Sequence, residues 1–537
     1  MKRLIIIICL SGFLSTSLSQ NGFGLQGALG FVTLDDQIWG QFALRPVIPI
    51  WKLKIALDLV FYIDEDGNIH QEEWDFSNNK AIKNTLIDKI FFIQFGKKNE
   101  PLYIRAGILD HVTLGYGGLV YDYSNSLLYP DIRKVGLDVQ IQNEKMSLQG
   151  FTNDFKENFG LVGSRIQLPA LNYLTIGLTG VVDRNQYLGL EDSDYDGRPD
   201  LVDDFPNNND FWLDSDSDGL SDNNPDEFDR DGDGLPDVYD LDIIHDYWDS
   251  LPDGSFNPAF YDSLPDQNII LKDEPLNVHD VSDQIVGIVL DIGIPIINEK
   301  HMYFGMYSQY AKLIGKSINP KSGKKVSLGS GLSPIGVATR IGPVGLNLEY
   351  RMIPQGNFDF EYWNRLYEHN RAMIASASDG HEANINQNQL KIVTKESTLG
   401  EIGVMKGIYA RINLELSDYL YLTTTYQNLV GQVWKPDIDK FSDGNLQSFL
   451  AAIELSQGIN RIENASAFYQ QRNVPNPFDF QPTESTVMGY NLGVKLGFGI
   501  ILNYTYRRTY QDKNGDGDVN DSDDIINITI IEARFGF

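Results

Sequence analysis

Cysteine is all but absent from this chain: the single one, Cys9, lies in the apolar N-terminal stretch Leu4 to Leu14. Beyond that stretch the chain can form no disulfide, build no thiolate metal site and use no cysteine nucleophile. Long apolar runs are missing too. No stretch approaches the roughly 18 consecutive apolar residues that a membrane-crossing helix needs. Positive charge is scarce, with 43 Lys and Arg against 74 Asp and Glu, for a formal net charge of −31. A surface of that sign makes nucleic acid an unfavourable partner. The histidines, at 70, 111, 245, 279, 301, 369 and 381, show no His-Glu-x-x-His or His-x-x-Glu-His spacing. No Gly-x-Ser-x-Gly elbow and no Gly-x-x-x-x-Gly-Lys-Ser/Thr phosphate loop occurs. The sequence therefore reads as non-enzymatic, with no catalytic residues to name.

What is present begins with an export signal. Lys2 and Arg3 supply a positive start, Leu4 to Leu14 an apolar core, and Ser17 and Ser19 small residues ahead of Gln20. Residues 1–19 are expected to be a cleaved signal peptide. The apolar run is too short for a comfortable uncleaved anchor. Aromatics are abundant, with 27 Tyr and 28 Phe. That suits strands that show one face to lipid and the other to water.

Alternation of period two recurs along the chain. Val135, Leu137, Val139 and Ile141 alternate with Gly136, Asp138, Gln140 and Gln142. Val286, Ile288, Leu290, Ile292 and Ile294 repeat the pattern, as do Ile408, Ala410, Ile412, Leu414 and Leu416. Tight turns are expected at 97–100, 143–146, 169–172, 342–345 and 417–419. Longer connections are expected at 64–86, 111–133, 183–283, 315–333, 355–399, 475–486 and 512–524. Pairing every segment from near Phe23 gives about 16–20 strands, counted most simply as twenty. On that count all the long connections fall on one side. This predicts an all-β, transmembrane antiparallel β-barrel with short inner turns and long outer loops. A secreted β-sandwich or propeller is the competing fold, but it needs shorter strands or a blade repeat, which the sequence does not show.

The final segment places Thr529, Ile531, Ala533, Phe535 and Phe537 on one face and stops on that Phe. It resembles the terminal strand of bacterial outer-membrane proteins. The resemblance implies a barrel in the bacterial outer membrane.

One connection has a composition of its own. Residues 191–242 hold 20 Asp or Glu against 2 Arg, a net of −18 within the chain's −31. Left bare, such a segment repels itself and stays extended. Its acids are ordered, however. Asp192, Asp194 and Asp196 precede Gly197, with Asp200 and Asp203 following. Asp214, Asp216 and Asp218 precede Gly219, with Asp222 and Asp226 following. Asp229, Asp231 and Asp233 precede Gly234, with Asp237 and Asp240 following. Alternate carboxylates converge on one ion when the backbone coils around it, and glycine permits the sharp turn at the sixth position. An all-carboxylate cage suits Ca²⁺ better than Mg²⁺, which retains waters, or zinc, which takes His or Cys.

These loops, with Asp204-Phe205-Pro206 and Phe211-Trp212-Leu213 as spacers, resemble thrombospondin type-3 repeats. The resemblance spans 192–242 and implies repeats that wrap Ca²⁺ around little apolar core. Two departures stand out. Pro225 occupies the twelfth position of the second loop, with Asp226 one residue late, and the cysteines of animal members are missing. A fourth loop lies near the C-terminus, where Asp512, Asn514 and Asp516 precede Gly517 and Asp523 sits at the twelfth place. Its spacing resembles an EF-hand loop, against the plainer reading of a solvated hairpin. Asp64-Glu65-Asp66-Gly67 lacks a first ligand, Tyr62 standing there, and reads as a turn.

Two other stretches invite a role inside the barrel. Gly115–Arg133, dense in Gly, Tyr and Asn, reads as an ordinary surface loop, with an inward fold that constricts a pore as the alternative. Phe360–Met373 has roughly helical apolar spacing and reads as a short helix in an external loop or a plug, its aromatics being packing residues. The sequence thus divides into a signal at 1–19, barrel at 20–190, an extracellular acidic insert at 191–283 and barrel at 284–537. Two functions fit. One is a pore or transport protein for small solutes. The other is a surface adhesion or scaffold protein, with a cell-surface partner, anchored by the barrel in outer-membrane lipid. Calcium is the expected cofactor in both.

Overall fold

The computed structural model describes residues 24–536 apart from 35–36, 65, 71–73, 77, 99, 131, 172, 231–271, 273, 375–391, 417–418 and 456. Alternating apolar and polar residues give long antiparallel strands. In chain order they are β1 (Gly24–Leu34), β2 (Gln37–Ile50), β3 (Leu53–Leu57 continued by Leu59–Ile63), β4 (Ile90–Phe95), β5 (Leu102–Gly107), β6 (Gly136–Asn143) and β7 (Met146–Thr152). Then come β8 (Leu161–Leu171), β9 (Leu174–Asp183), β10 (Ile285–Glu299), β11 (Met302–Ile314), β12 (Ser330–Ile341), β13 (Val344–Ile353) and β14 (Ile402–Leu416). The last are β15 (Leu420–Lys435), β16 (Lys440–Leu455), β17 (Ile462–Val474), β18 (Val487–Gly497), β19 (Ile500–Tyr510) and β20 (Ile525–Gly536).

Each strand pairs with the next. β20 returns to β1, with Phe31 opposite Ile531 and Gly27 opposite Phe535, so the sheet closes into a twenty-stranded barrel. Closure leaves no strand edge unpaired. The break in β3 falls at Asp58, which is buried and bonded to the side chains of Arg45 (2.8 Å), Tyr129 (2.6 Å) and Arg133 (3.2 Å). Its backbone N donates to Lys89 O at 2.9 Å, beside a register shift between Ala56 and Leu57.

The connections sort by end. Turns at 51–52, 96–101, 144–145, 172–173, 300–301, 342–343 and 498–499 lie at one end. The connections 64–89, 108–135, 184–284, 315–329, 354–401, 475–486 and 511–524 lie at the other. The expected segregation of long loops is therefore present. The strand ahead of the turn near 172 runs on through Pro169 to Leu171, so that turn falls later than expected.

The burial pattern is inverted relative to a soluble protein. Along β10, Ile288, Leu290, Ile292 and Ile294 are exposed outward, while Val289 and Asp291 face the lumen and are buried. On β14, Ile408, Ile412 and Leu416 face out and Tyr409 faces in. The lumen wall is polar and braced. Glu349 accepts hydrogen bonds from Tyr307 Oη (2.8 Å), Gln309 Nε2 (3.2 Å), Ser333 Oγ (3.0 Å) and Arg351 Nε (2.8 Å). Arg165 donates to Asp291 Oδ1 at 2.9 Å and to Thr179 Oγ1 at 3.1 Å.

The main apolar core lies inside the barrel, made where residues of the connection 108–135 and residues 354–374 fold into the lumen. Leu109, Leu119, Val120 and Tyr123 from the first pack with Phe358, Phe360, Tyr362, Trp363 and Tyr367 from the second. The wall contributes Ile285, Val289, Leu313, Met405 and Leu429. The two loops are joined by backbone bonds from Tyr121 N to Trp363 O (3.1 Å) and from Trp363 N to Leu119 O (2.9 Å). Gly287 makes room for this plug, since a Cβ there would lie 2.5 Å from the Trp363 ring.

This corrects the surface-loop reading of Gly115–Arg133. Its aromatics and glycines are what close packing inside a polar lumen requires. It also shortens the helix read at Phe360–Met373 to Tyr367–Asn370, because Trp363 pairs with Val120 of the other loop and Glu361 is left-handed. The aromatics there do pack, as read. A ten-residue helix, α1 (Asn79–Asp88), sits in the connection 64–89 with Asn78 as its cap.

Candidate functional site

The plug is seated by charge as well as by apolar contact. Arg371 donates from Nε to Asp183 Oδ2 at 2.6 Å and from Nη1 to Glu157 Oε2 at 2.6 Å. Lys134 bridges Glu157 (2.7 Å) and Glu368 (2.5 Å), and Tyr123 Oη donates to Glu368 Oε1. Burial opposes charge on Glu157, yet Arg371 and Lys134 outweigh it and pull its carboxyl down to about 2. On the other side, Arg472 of β17 holds Glu361 (2.7 Å) and Asp359 (3.4 Å), while Arg351 of β13 reaches Glu361 at 3.2 Å. Here Tyr121, Asp122 and Glu361 of the plug face Thr425, Gln470 and Arg472 of the wall across a narrow gap. Nothing in the spacing of these residues marks them in the sequence; the fold brings them together from distant loops.

The acidic insert stands on the same end of the barrel. Its first two loops repeat one geometry. Asp192 Oδ2 accepts from Gly197 N at 3.0 Å, and Asp214 Oδ2 from Gly219 N at 2.9 Å. Positions four and six turn left-handed in both, at Tyr195 and Gly197 (φ 64° and 102°) and at Ser217 and Gly219 (φ 64° and 95°). Only that coil gathers alternate side chains, and the sixth position favours glycine because a Cβ is disfavoured there. Within each of the triads Asp192, Asp194, Asp196 and Asp214, Asp216, Asp218, one oxygen per residue lies within 4.8 Å of the others. No third such group forms among the described residues.

The donor set fits a hard cation. Asp192 Oδ1, Asp194 Oδ2 and Asp203 Oδ2 are buried with no hydrogen-bond donor. Burial and repulsion from neighbouring carboxylates push Asp192, Asp194 and Asp216 up to about 6 and Asp203 up to about 7. Such crowding is costly unless a counter-charge neutralises it. Asp200 and Asp222 stand differently. Each accepts from the second residue of its loop, Ser193 or Ser215, through both backbone N (2.8 Å) and Oγ (2.7 Å). Asp226 is exposed. Asp229 of the third loop is described, whereas Asp231, Asp233, Asp237 and Asp240 lie outside the described residues, as does the signal segment 1–19.

The insert is braced to the barrel rim. Lys80 of α1 reaches the Tyr195 carbonyl at 3.3 Å, and Val278 N donates to Gly197 O at 2.8 Å. Arg198 stacks 3.7 Å from the Trp212 ring centre, and Trp212 Nε1 donates to Glu274 at 3.0 Å. Asp64 closes a simple turn, accepting from Asn68 N at 2.7 Å.

The fourth loop shares the coil. Asp512 Oδ2 accepts from Gly517 N at 2.8 Å, and Gly515 and Gly517 are left-handed (φ 74° and 85°). Asn514 and Asp516 follow in place and are exposed. Asp523 is exposed too, with Ser522 Oγ at 3.1 Å. The neighbouring Asp524 is buried instead, and takes Lys513 N at 2.9 Å.

No protein-family model matches the chain, and no curated protein matches it. Several solved structures share its outline. Pseudomonas aeruginosa OccK10 (OpdN) is 7% identical with a TM-score of 0.32, over 97% of this chain and 99% of that one. Pseudomonas aeruginosa OccD3 (OpdP) is 9% identical with a TM-score of 0.31, over 97% and 92%. Outer-membrane expressed OmpT of Vibrio cholerae is 7% identical with a TM-score of 0.26, over 97% and 100%. The barrel assignment itself stands on the chain's own strand pairing, closed between β20 and β1.

Proposed function

We propose that this chain is a bacterial outer-membrane barrel that passes small polar solutes, with calcium-stabilised repeats on its outer end. The observation that carries the pore is a closed twenty-stranded barrel whose lumen wall is polar and charged, with Arg165, Asp291, Glu349 and Arg351 facing inward. Between plug and wall, the acids Asp122 and Glu361 stand opposite Arg472. A barrel of twenty strands encloses more than its own side chains can fill. The apolar outward face, with Leu290, Ile292, Ile408 and Ile412 exposed, supports immersion in lipid. The long loops then face outward, and the insert with them. Calcium is supported by the two triads and by the donorless buried oxygens of Asp192, Asp194 and Asp203. Its role would be structural, because neutralising those carboxylates supplies folding free energy where apolar core is thin. No catalytic role is proposed.

A second reading, a surface adhesion or scaffold protein, draws on the density of the plug, where Phe358, Phe360, Tyr362 and Trp363 are fully buried. Planar-bilayer recording separates the two. Discrete conductance steps support the pore. Their absence, together with calcium-dependent binding to cells or polysaccharide, supports the anchor.

A further inference from the structure

The first half of the connection 475–486 lies on the outside of the wall. On β15, Thr425 and Gln427 are buried toward the lumen, so Tyr426 between them faces out. Phe449 of β16 stands opposite Tyr426, and Tyr469 of β17, opposite Ala451, shares that outer face. The Phe478 ring meets those of Tyr426 (5.9 Å between centres) and Phe449 (5.1 Å), and the Phe480 ring meets that of Tyr469 (5.5 Å). A 3₁₀ turn, Pro477–Asp479, presents the first ring, and Asn476 fixes it by accepting from Phe478 N at 3.1 Å. A left-handed backbone at Phe480 (φ 53°) turns the second ring.

The wall beneath these rings is polar. Asn445 Nδ2 and Gln447 Nε2 both donate to Pro475 O, at 2.9 and 2.8 Å, and Gln471 Nε2 donates to Gln481 O at 2.6 Å. Tyr426 Oη donates to Gln447 Oε1 at 2.9 Å. Amides facing lipid without partners are costly. The loop's carbonyls satisfy them, and its rings replace them on the outer surface. Phe478 is 49% and Phe480 62% exposed there, next to the exposed Ile453 of β16 and Tyr490 and Leu492 of β18. β17, which leads into the loop, has 13 residues. At a rise of about 3.3 Å per residue and a tilt of about 45°, it climbs about 30 Å from the short-turn end, the thickness of a hydrocarbon core. The second half of the loop crosses the rim, where Ser485 Oγ donates to Arg472 O at 2.6 Å and Asn370 Nδ2 of the plug donates to Glu484 O at 3.3 Å.

We propose that 475–481 is a membrane-lying strap whose Phe478 and Phe480 rings seat in outer-leaflet lipid, at the boundary between acyl chains and headgroups. The occupant is lipid rather than a second chain, because the two rings carry no hydrogen-bonding group and run on into the apolar outer face of the strands. Asn476 and Asp479, bonded to each other at 2.7 Å beside the rings, suit the headgroup level. The placement rests on the reading of the wall as immersed in lipid.

The test places single nitroxides on Cys9→Ser chains in phosphatidylcholine vesicles. The sites are Phe478→Cys and Phe480→Cys on the strap, Leu492→Cys on the wall and Asp518→Cys in the exposed last loop. Spin relaxation by oxygen, which concentrates in lipid, is compared with relaxation by a water-soluble nickel chelate, and folding is checked by heat-modifiable gel mobility. Oxygen should dominate at the strap and wall sites, with a smaller excess over nickel at the strap, and nickel should dominate at Asp518→Cys. Either strap site decides alone if the other variant does not fold. Nickel-dominated relaxation at either strap site of a folded chain, beside an oxygen-dominated Leu492→Cys, would overturn the strap and leave the immersed barrel standing. Shielding of the strap from both agents, with spin–spin broadening, would place a second copy there and overturn it too. A nickel-dominated Leu492→Cys would remove immersion of the wall, and the strap with it.

Discussion

Arg371 grips Asp183 with two hydrogen bonds, from Nε at 2.6 Å and from Nη2 at 2.9 Å, and both side chains are fully buried. The pair joins the inward loop 354–401 to the last residue of β9. Removing one partner leaves a buried charge unmatched, which costs about 3–5 kcal/mol. Arg371→Ala should therefore unseat the plug while β20 still closes on β1. Limited proteolysis is the readout. New cleavage within 354–374 is expected in a barrel whose gel mobility stays heat-modifiable, and an unchanged cleavage pattern would contradict it.

Glu396 makes the plug's seat sensitive to pH. Burial and the adjoining Asp283 carboxyl push Glu396 up to about 9, against 4.5 for an ordinary glutamate. Between those values the folded chain holds a proton that the unfolded chain has released, so stability falls as pH rises. Lys395 acts in the opposite sense. Burial pushes it down to about 7, so from pH 7 to 10.5 the folded chain lacks a proton that the unfolded chain holds, and stability rises with pH there. The two slopes oppose each other between pH 7 and 9, which leaves the net fall at about pH 4.5–7. Protease resistance of 354–401 should decline over that lower window in wild type and stay level in Glu396→Gln. A matching decline in the variant would exclude Glu396 as its source.

The inverted burial pattern predicts opposite tolerance on the two faces of the wall. Leu290 is 48% exposed on the outer face of β10. Arg at a lipid-facing mid-strand position costs about 2–4 kcal/mol. Leu290→Arg should lower the fraction of chain that inserts and folds in lipid vesicles. Gln140→Arg, on the lumen face of β6 beside Asp138, should fold as wild type does. Equal folding of both variants would contradict the assignment of inside and outside.

Chelation should open the insert and leave the barrel folded. With calcium withdrawn, the carboxylates of Asp192, Asp194, Asp196 and Asp203 repel without a counter-charge. Protease sites should open within residues 191–229, while the barrel keeps its heat-modifiable mobility. Circular dichroism and proteolysis of the insert unchanged by added Ca²⁺ would refute calcium as its organiser.

The barrel was legible because its signal is repeated. Alternation such as that from Val286 to Ile294, with every long loop on one end, sets strand number and parity without any tertiary detail. The insert loops were legible because an Asp-x-Asp-x-Asp-Gly order needs no partner from elsewhere in the chain. The plug was not. Gly115–Arg133 has the composition of an exposed loop, and only the lumen, built by distant strands, turns its glycines and tyrosines into core. Asp183, Glu157 and Arg371 are far apart in sequence, and no local pattern links them. Asp58 shows the same limit inside a strand, where its buried carboxylate is met by Arg45, Tyr129 and Arg133 from distant parts of the chain. In the last loop Asp523 is exposed and its neighbour Asp524 buried. That difference follows the backbone bond from Gln511 N to Asp524 O (2.9 Å), which spacing does not reveal.

The most direct test of a plugged, solute-passing barrel is single-channel recording of wild type beside Arg371→Ala in planar bilayers. The predicted result is discrete steps from wild type and larger steps from the variant, because the plug is loosened and the wall is kept. Silent bilayers with both proteins, each shown to be folded and inserted, would contradict it.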